Sequence, residues 1–148
     1  MSDINTVMQA YEIHARALAE ANSLNKTVVF EALAAASITT VTVTFDGEGD
    51  SGQIEDITAY AGDGPQPLPD IQVEIQHVSW GTGKLDGSQS PLRYAIETLC
   101  YDFLSQEHAG WENNDGAFGE FAFDVAARRI DLEFSARFSD FTTSSHTF

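Results

Sequence analysis

Ile38-Thr39-Thr40-Val41-Thr42-Val43-Thr44-Phe45 alternates apolar and hydroxyl-bearing side chains with a period of two. Val41, Val43 and Phe45 therefore fall on one side of an extended chain and the threonines on the other, the pattern of a half-buried strand. Residues 54–60 return as a second strand and make a hairpin with the first. Ile71, Val73 and Ile75 alternate again in a third strand that ends near Trp80. The clearest hairpin lies further on. There Phe121, Phe123 and Val125 alternate with Glu120, Ala122 and Asp124, and Ile130, Leu132, Phe134, Ala136 and Phe138 alternate with Asp131, Glu133, Ser135 and Arg137.

Elsewhere the period is helical. Ile4, Val7, Met8, Tyr11, Ala15 and Leu18 recur at steps of three and four, which predicts a helix over 3–24. Asn22, Ser23 and Asn25 interrupt it, and a second, shorter helix is expected from 26 to 36. Ser90-Pro91 reads as an N-cap followed by a first-turn proline. Leu92, Ala95, Ile96, Leu99, Phe103 and Leu104 then form an apolar stripe, with Gly110 as a stop. The order ααβββαββ, with local hairpin links, predicts an α+β fold: an antiparallel sheet of about five strands with helices packed on one face. The expected division is a single domain over 1–148, with N-terminal helices at 1–37, an α+β core at 38–138 and a loose Ser/Thr-rich tail at 139–148.

Charge narrows the partners. Twenty-three acids face seven Lys and Arg, for a formal net charge of -16. Between Lys26 and Lys84 there is no Lys or Arg, while Glu31, Asp46, Glu48, Asp50, Glu55, Asp56, Asp63, Asp70 and Glu74 all fall there. Direct binding to a phosphate backbone needs Lys or Arg to displace counterions, so neither nucleic acid nor an anionic membrane is an expected partner. The field attracts cations and basic protein surfaces. No apolar run approaches the ~18–20 residues of a membrane span. Met1-Ser2-Asp3-Ile4-Asn5 lacks a basic leader region. A cytoplasmic location is the expectation. The single cysteine, Cys100, falls within the helical stripe and reads as core.

Two acidic, glycine-rich stretches are the candidate functional loops: Phe45-Asp46-Gly47-Glu48-Gly49-Asp50-Ser51-Gly52-Gln53-Ile54-Glu55-Asp56 and Gly110-Trp111-Glu112-Asn113-Asn114-Asp115-Gly116-Ala117-Phe118-Gly119-Glu120-Phe121. Asp46, Glu48 and Asp50 sit at alternating positions, like the first ligands of a calcium loop. Ser51 then stands where glycine is needed and Ile57 where glutamate is needed, so the EF-hand pattern fails. A different divalent site built from the same three carboxylates stays open beside the bland reading, a solvated hairpin turn. His108, at a helix end, reads as a C-terminal cap, since the helix dipole favours a protonated imidazole there. The Gly81–87 region lacks the spacing of a phosphate loop. No nucleophile elbow or paired-histidine metal motif occurs, so a catalytic role is not the leading expectation.

At these two stretches the chain resembles a family of small acidic bacterial proteins, often carried by phages and plasmids. The resemblance rests on 45–54 and 110–121 and spans 38–138. That family carries no established activity, so no catalytic residue transfers from it. What it implies is context, since mobile elements carry short acidic proteins that disable host nucleases or defence complexes. The leading expectation is a protein-binding module, an inhibitor of a nucleic-acid-handling or defence protein that acts like a nucleic-acid mimic. Asp46, Glu48, Asp50, Glu55 and Asp56 would supply the field, and Trp111 with Glu112 and Asp115 an anchor. The rival expectation is a divalent-metal protein or metal-dependent hydrolase built on the two loops.

Overall fold

Strict alternation in the strands separates two faces, and the helices lie against one of them. The structure, a computed structural model, describes residues 2–48, 51–79, 82–108, 116–136 and 142–148. The elements are α1 (Ser2–Ala35), β1 (Thr40–Glu48), β2 (Ser51–Ala61), β3 (Gly64–Gln66), β4 (Gln72–Val78), β5 (Leu85–Pro91), α2 (Leu92–Glu107), β6 (Ala117–Asp124), β7 (Arg129–Ala136) and β8 (Thr142–Thr147). Six strands form one antiparallel sheet in the order β3-β2-β1-β6-β7-β8, and β4 and β5 form a separate two-stranded ribbon. The α+β class and the antiparallel pairing match the sequence expectation; the strand count exceeds it.

The core lies between the sheet and the helices. β1 contributes Val41, Val43 and Phe45, β6 contributes Phe121 and Phe123, and β7 contributes Ile130, Leu132 and Phe134. Against them pack Val29, Phe30 and Leu33 of α1, and Leu92, Ala95, Ile96, Leu99, Cys100, Phe103 and Leu104 of α2. Phe30 meets Phe123 at 5.8 Å between ring centroids, and Phe45 meets Phe121 at 5.7 Å. Burial pushes the Cys100 thiol well above its ordinary pKa, as befits a small apolar core residue.

Four local expectations are corrected. First, one 34-residue helix replaces two. Of the asparagines that look like a break, Asn25 is a tertiary contact. Asn25 is buried, donates from Nδ2 to the Gln76 carbonyl (3.1 Å) and accepts the Gln76 N–H at Oδ1 (2.7 Å). Its amide thus completes the edge of β4 as another strand would, which offsets its poor helix propensity. Second, residues 142–147 are a strand, paired with β7 from Ala136↔Thr142 to Asp131↔Thr147. Phe148 continues the ladder through two hydrogen bonds with Ile130 and stacks on Phe103 at 4.4 Å. Third, α2 begins at Leu92 with Pro91 as its N-cap and no side-chain cap. The Leu92 N–H is satisfied instead by the Ile71 carbonyl (3.0 Å). Fourth, the loop expected over 81–87 is shorter, because 85–87 already belong to β5 (Leu85–Pro91).

The N-terminal part of α1 differs from its apolar reading as well. Val7, Met8 and Tyr11 are 52%, 58% and 62% exposed, and burial against the core starts near Ala17. Their stripe has the helical period but lies beyond the described sheet.

Phe123→Ala and Phe134→Ala should each lower stability by ~3–5 kcal/mol, the usual cost of emptying a buried phenylalanine site. Denaturant melts that show less than ~1 kcal/mol at both positions would place the core on the other face. Asn25→Ala should cost ~1–3 kcal/mol, because it strands the N–H and carbonyl of Gln76 without partners. Asn25→Asp should not restore the loss, since a carboxylate cannot donate to the Gln76 carbonyl. Full rescue by aspartate would show that the two-point clasp is not what holds α1 on β4.

Candidate functional site: the open face of the sheet

The face of the six-stranded sheet turned away from the helices carries the residues that alternate with the core. Register fixes them in rows. One row runs Asp56, Thr44, Glu120, Glu133, Ser145 across β2, β1, β6, β7 and β8. The next runs Thr58, Thr42, Ala122, Asp131, Thr147, and a third runs Tyr60, Thr40, Asp124, Arg129. On the other side of the first row lie Gln53, Asp46, Phe118, Ser135 and Thr143. Among the described side chains, this face holds six carboxylates, from Asp46, Asp56, Glu120, Asp124, Asp131 and Glu133, and one guanidinium, from Arg129.

The charges are not equivalent. Arg129 lies 3.1 Å from Asp131 Oδ2 and 3.9 Å from Asp124 Oδ2. The Thr147 hydroxyl donates to Asp131 Oδ1 (2.6 Å), and this bond, with help from Arg129, holds the Asp131 carboxyl below its usual value. Thr58 Oγ1 donates to Asp56 Oδ2 (2.9 Å). Glu120 and Glu133 stand directly opposite each other on neighbouring strands, both exposed, and no described cation makes an ion pair with either. Like charges in that position destabilise a sheet. They border a shallow depression of about 400 Å³, with Ala122, Asp131, Ser145 and Thr147 on its other sides.

The sequence-derived site residues divide between this face and its margin. Asp56 belongs to the face, and Asp46 stands on it in register with Phe118. Glu55 is exposed at the β-bulge where the β1–β2 register shifts between Thr44 and Phe45. Glu48 stands in β1 opposite Ser51, so most of the stretch read as a loop is paired strand. Asp50, Trp111, Glu112 and Asp115 lie outside the described residues. The bases of the two acidic stretches do adjoin, because Gly47 pairs with Ala117 and Asp46 with Phe118. Among the described residues, no three His, Cys, Asp or Glu side chains converge to hold a metal ion.

Glu120, Glu133, Asp124 and Asp131 were missed as site residues although their alternation with phenylalanine and leucine is plain in the sequence. Period two places them together; searching for loops overlooks them. His77 contacts Ser88 Oγ (2.9 Å) within the β4–β5 ribbon. It lies close enough to the half-buried Asp102 to oppose the upward shift that burial gives that carboxyl. His108 is the C-cap of α2, as read from the sequence, but through its backbone N–H to the Leu104 carbonyl; burial and His146 lower the pKa of its imidazole, against the protonated ring expected there.

Among the described residues, no helix is long and apolar enough to cross a membrane. No curated protein and no solved structure matches the chain. A family match takes in the second half of α1 and all of β8, and leaves residues 1–20 outside. With a family model matching residues 21–148, the chain belongs to a family of unknown function, DUF6878.

Proposed function

We propose that this protein is a binding module whose open sheet face engages a basic protein surface, and that the partner is a nucleic-acid-handling protein, such as a host nuclease or defence effector, whose phosphate-binding groove the face occupies. The observation that carries this reading is the Glu120–Glu133 pair. Two carboxylates set opposite each other without a described cation cost folding free energy, roughly 0.2–1 kcal/mol. A basic partner relieves that repulsion, so the same placement that weakens the free protein strengthens the complex. The net charge of -16 supplies long-range steering toward such a partner. The rows present carboxylates on a paired, twisted sheet, so little conformational entropy is lost when they dock. Asp46 and Asp56 on the face and Glu55 beside it belong to this acidic surface, and Glu48 and Asp50 join it in this proposal. A phage- or plasmid-borne origin fits this role and belongs to the same proposal.

The test uses opposite signs for stability and binding. Glu120→Gln combined with Glu133→Gln should leave stability equal or raise it by up to ~1 kcal/mol, and should weaken capture of the partner. Affinity of the unaltered protein should fall steeply with salt, mainly through slower association. A partner captured from host lysate should be released by competing duplex DNA or RNA. A partner that ignores nucleic acid, or binds the double amide variant equally well at every salt concentration, would sink the proposal. A second variant, Asp46→Asn with Glu48→Gln and Asp50→Asn, separates the hairpin end from the sheet centre. A larger loss there than at Glu120 and Glu133 would move the contact to the margin.

A further inference from the structure

We propose that the contact between His108 and His146 is an acid-sensitive latch that holds β8 on the end of α2. The two imidazoles meet nitrogen to nitrogen, with Nε2 of His108 2.9 Å from Nε2 of His146. A hydrogen bond at that distance needs one ring to carry the proton and the other a lone pair. At most one of the two rings is therefore cationic while the contact lasts.

His146 Nδ1 lies 3.6 Å from Glu107 Oε2. One added proton on the pair leaves the contact intact, because one ring still donates to the lone pair of the other. A second proton has no such place. On His108 it sets N–H against N–H and cation against cation. The His108 ring also stacks flat on Phe134, with centroids 3.6 Å apart, where a charged ring is poorly solvated. Ser144 Oγ lies 3.4 Å from the same Nε2. Among the described residues, the polar and titratable groups facing His108 are Glu107 from α2, and His146 and Ser144 from β8; β7 offers only the Phe134 ring. Glu107 and the carbonyl end of α2 favour a protonated His108. Desolvation and the neighbouring His146 outweigh them, so its pKa lies below the ordinary 6.5.

The latch matters because β8 has few other ties to the helices. It is an edge strand, paired on one side with β7 alone. Its inward residues are Ser144 and His146, followed by Phe148, whose ring lies on Phe103. With the histidine contact open, the described links between the end of the chain and α2 are that stack and the approach of His146 Nδ1 to Glu107 Oε2 at 3.6 Å. Because His108 is harder to protonate in the closed form, the open form binds more protons as pH falls. The closed form is thus fully favoured above about 6.5 and loses ground as pH drops below it. This device stands whether or not the open sheet face binds a partner.

Hydrogen exchange on the full chain, read by mass spectrometry and expressed as protection factors, tests it. Between pH 7.5 and 5.0, protection over 142–148 should fall by about tenfold or more, with β1 and β6 changing far less. His108→Gln keeps a group that donates to His146 but does not titrate, and should flatten that step. His146→Gln removes the second imidazole and should flatten it as well, which guards against one variant folding poorly. Protection over 142–148 that is unchanged across this range, a loss spread evenly over the sheet, or an undiminished step in both glutamine variants would each overturn the latch.

Discussion

Everything in this fold depends on the register of β1. It is an inner strand, paired with β2 on one side and β6 on the other. Val41, Val43 and Phe45 are each at most 2% exposed, so the apolar set has one permissible face. A slip of one residue would turn all three toward water and bring Thr42, Thr44 and Asp46 into the core. Two local devices pin the register. A bulge between Thr44 and Phe45 takes up the extra residue of β2. Gly119, opposite Phe45 on β6, leaves room for the phenylalanine ring. A methyl group there would meet the Glu133 carbonyl and lie 2.8 Å from the ring's Cζ. Phe45 spreads over that glycine and stacks on Phe134 at 6.1 Å, tying β1 to β7 across β6.

The acidic face follows from the same constraint. A strand that sends every second residue inward must send the others outward together, so the chemistry of the open face is the complement of the core. That is why the fold was largely legible from period-two patterns at 38–45, 120–125 and 130–138. It is also why the site was only partly legible. The acids of the β6–β7 hairpin look in sequence like ordinary solvated positions. Only the pairing of Glu120 with Glu133 and of both rows with β1 makes them one surface, and pairing partners cannot be read from either strand alone.

The other departures share a physical cause: polar side chains whose role is tertiary. Asn25 appears to end a helix, yet it satisfies the edge of β4. The Ser/Thr run at 142–147 appears too polar to order, yet threonine suits a strand and the inward positions need only His146 and Phe148 to reach α2. Ser90 appears to be a helix cap, yet a carbonyl from Ile71 does that work. In each case local propensity gives one answer and a hydrogen bond or ring contact from a distant segment supplies another, at about 1 kcal/mol or more.

Geometry also bears on which kind of ligand this face suits. Neighbouring strands lie ~4.8 Å apart, and alternate residues on one face recur every ~6.8 Å along a strand. Carboxylates on such a grid project side by side. Chelation of a divalent cation asks instead for several oxygens converging within ~2.3–2.6 Å of one point, as loops that fold back on themselves provide. A row such as Asp56, Thr44, Glu120, Glu133 carries three carboxylates across four strands, with a neutral threonine between the first two. Such a distribution is the kind that suits the extended basic surface proposed above, with several Lys or Arg side chains, better than one small ion. In that proposed complex the carboxylates near water would each make a weak, screened contact, and affinity would come from many of them acting together.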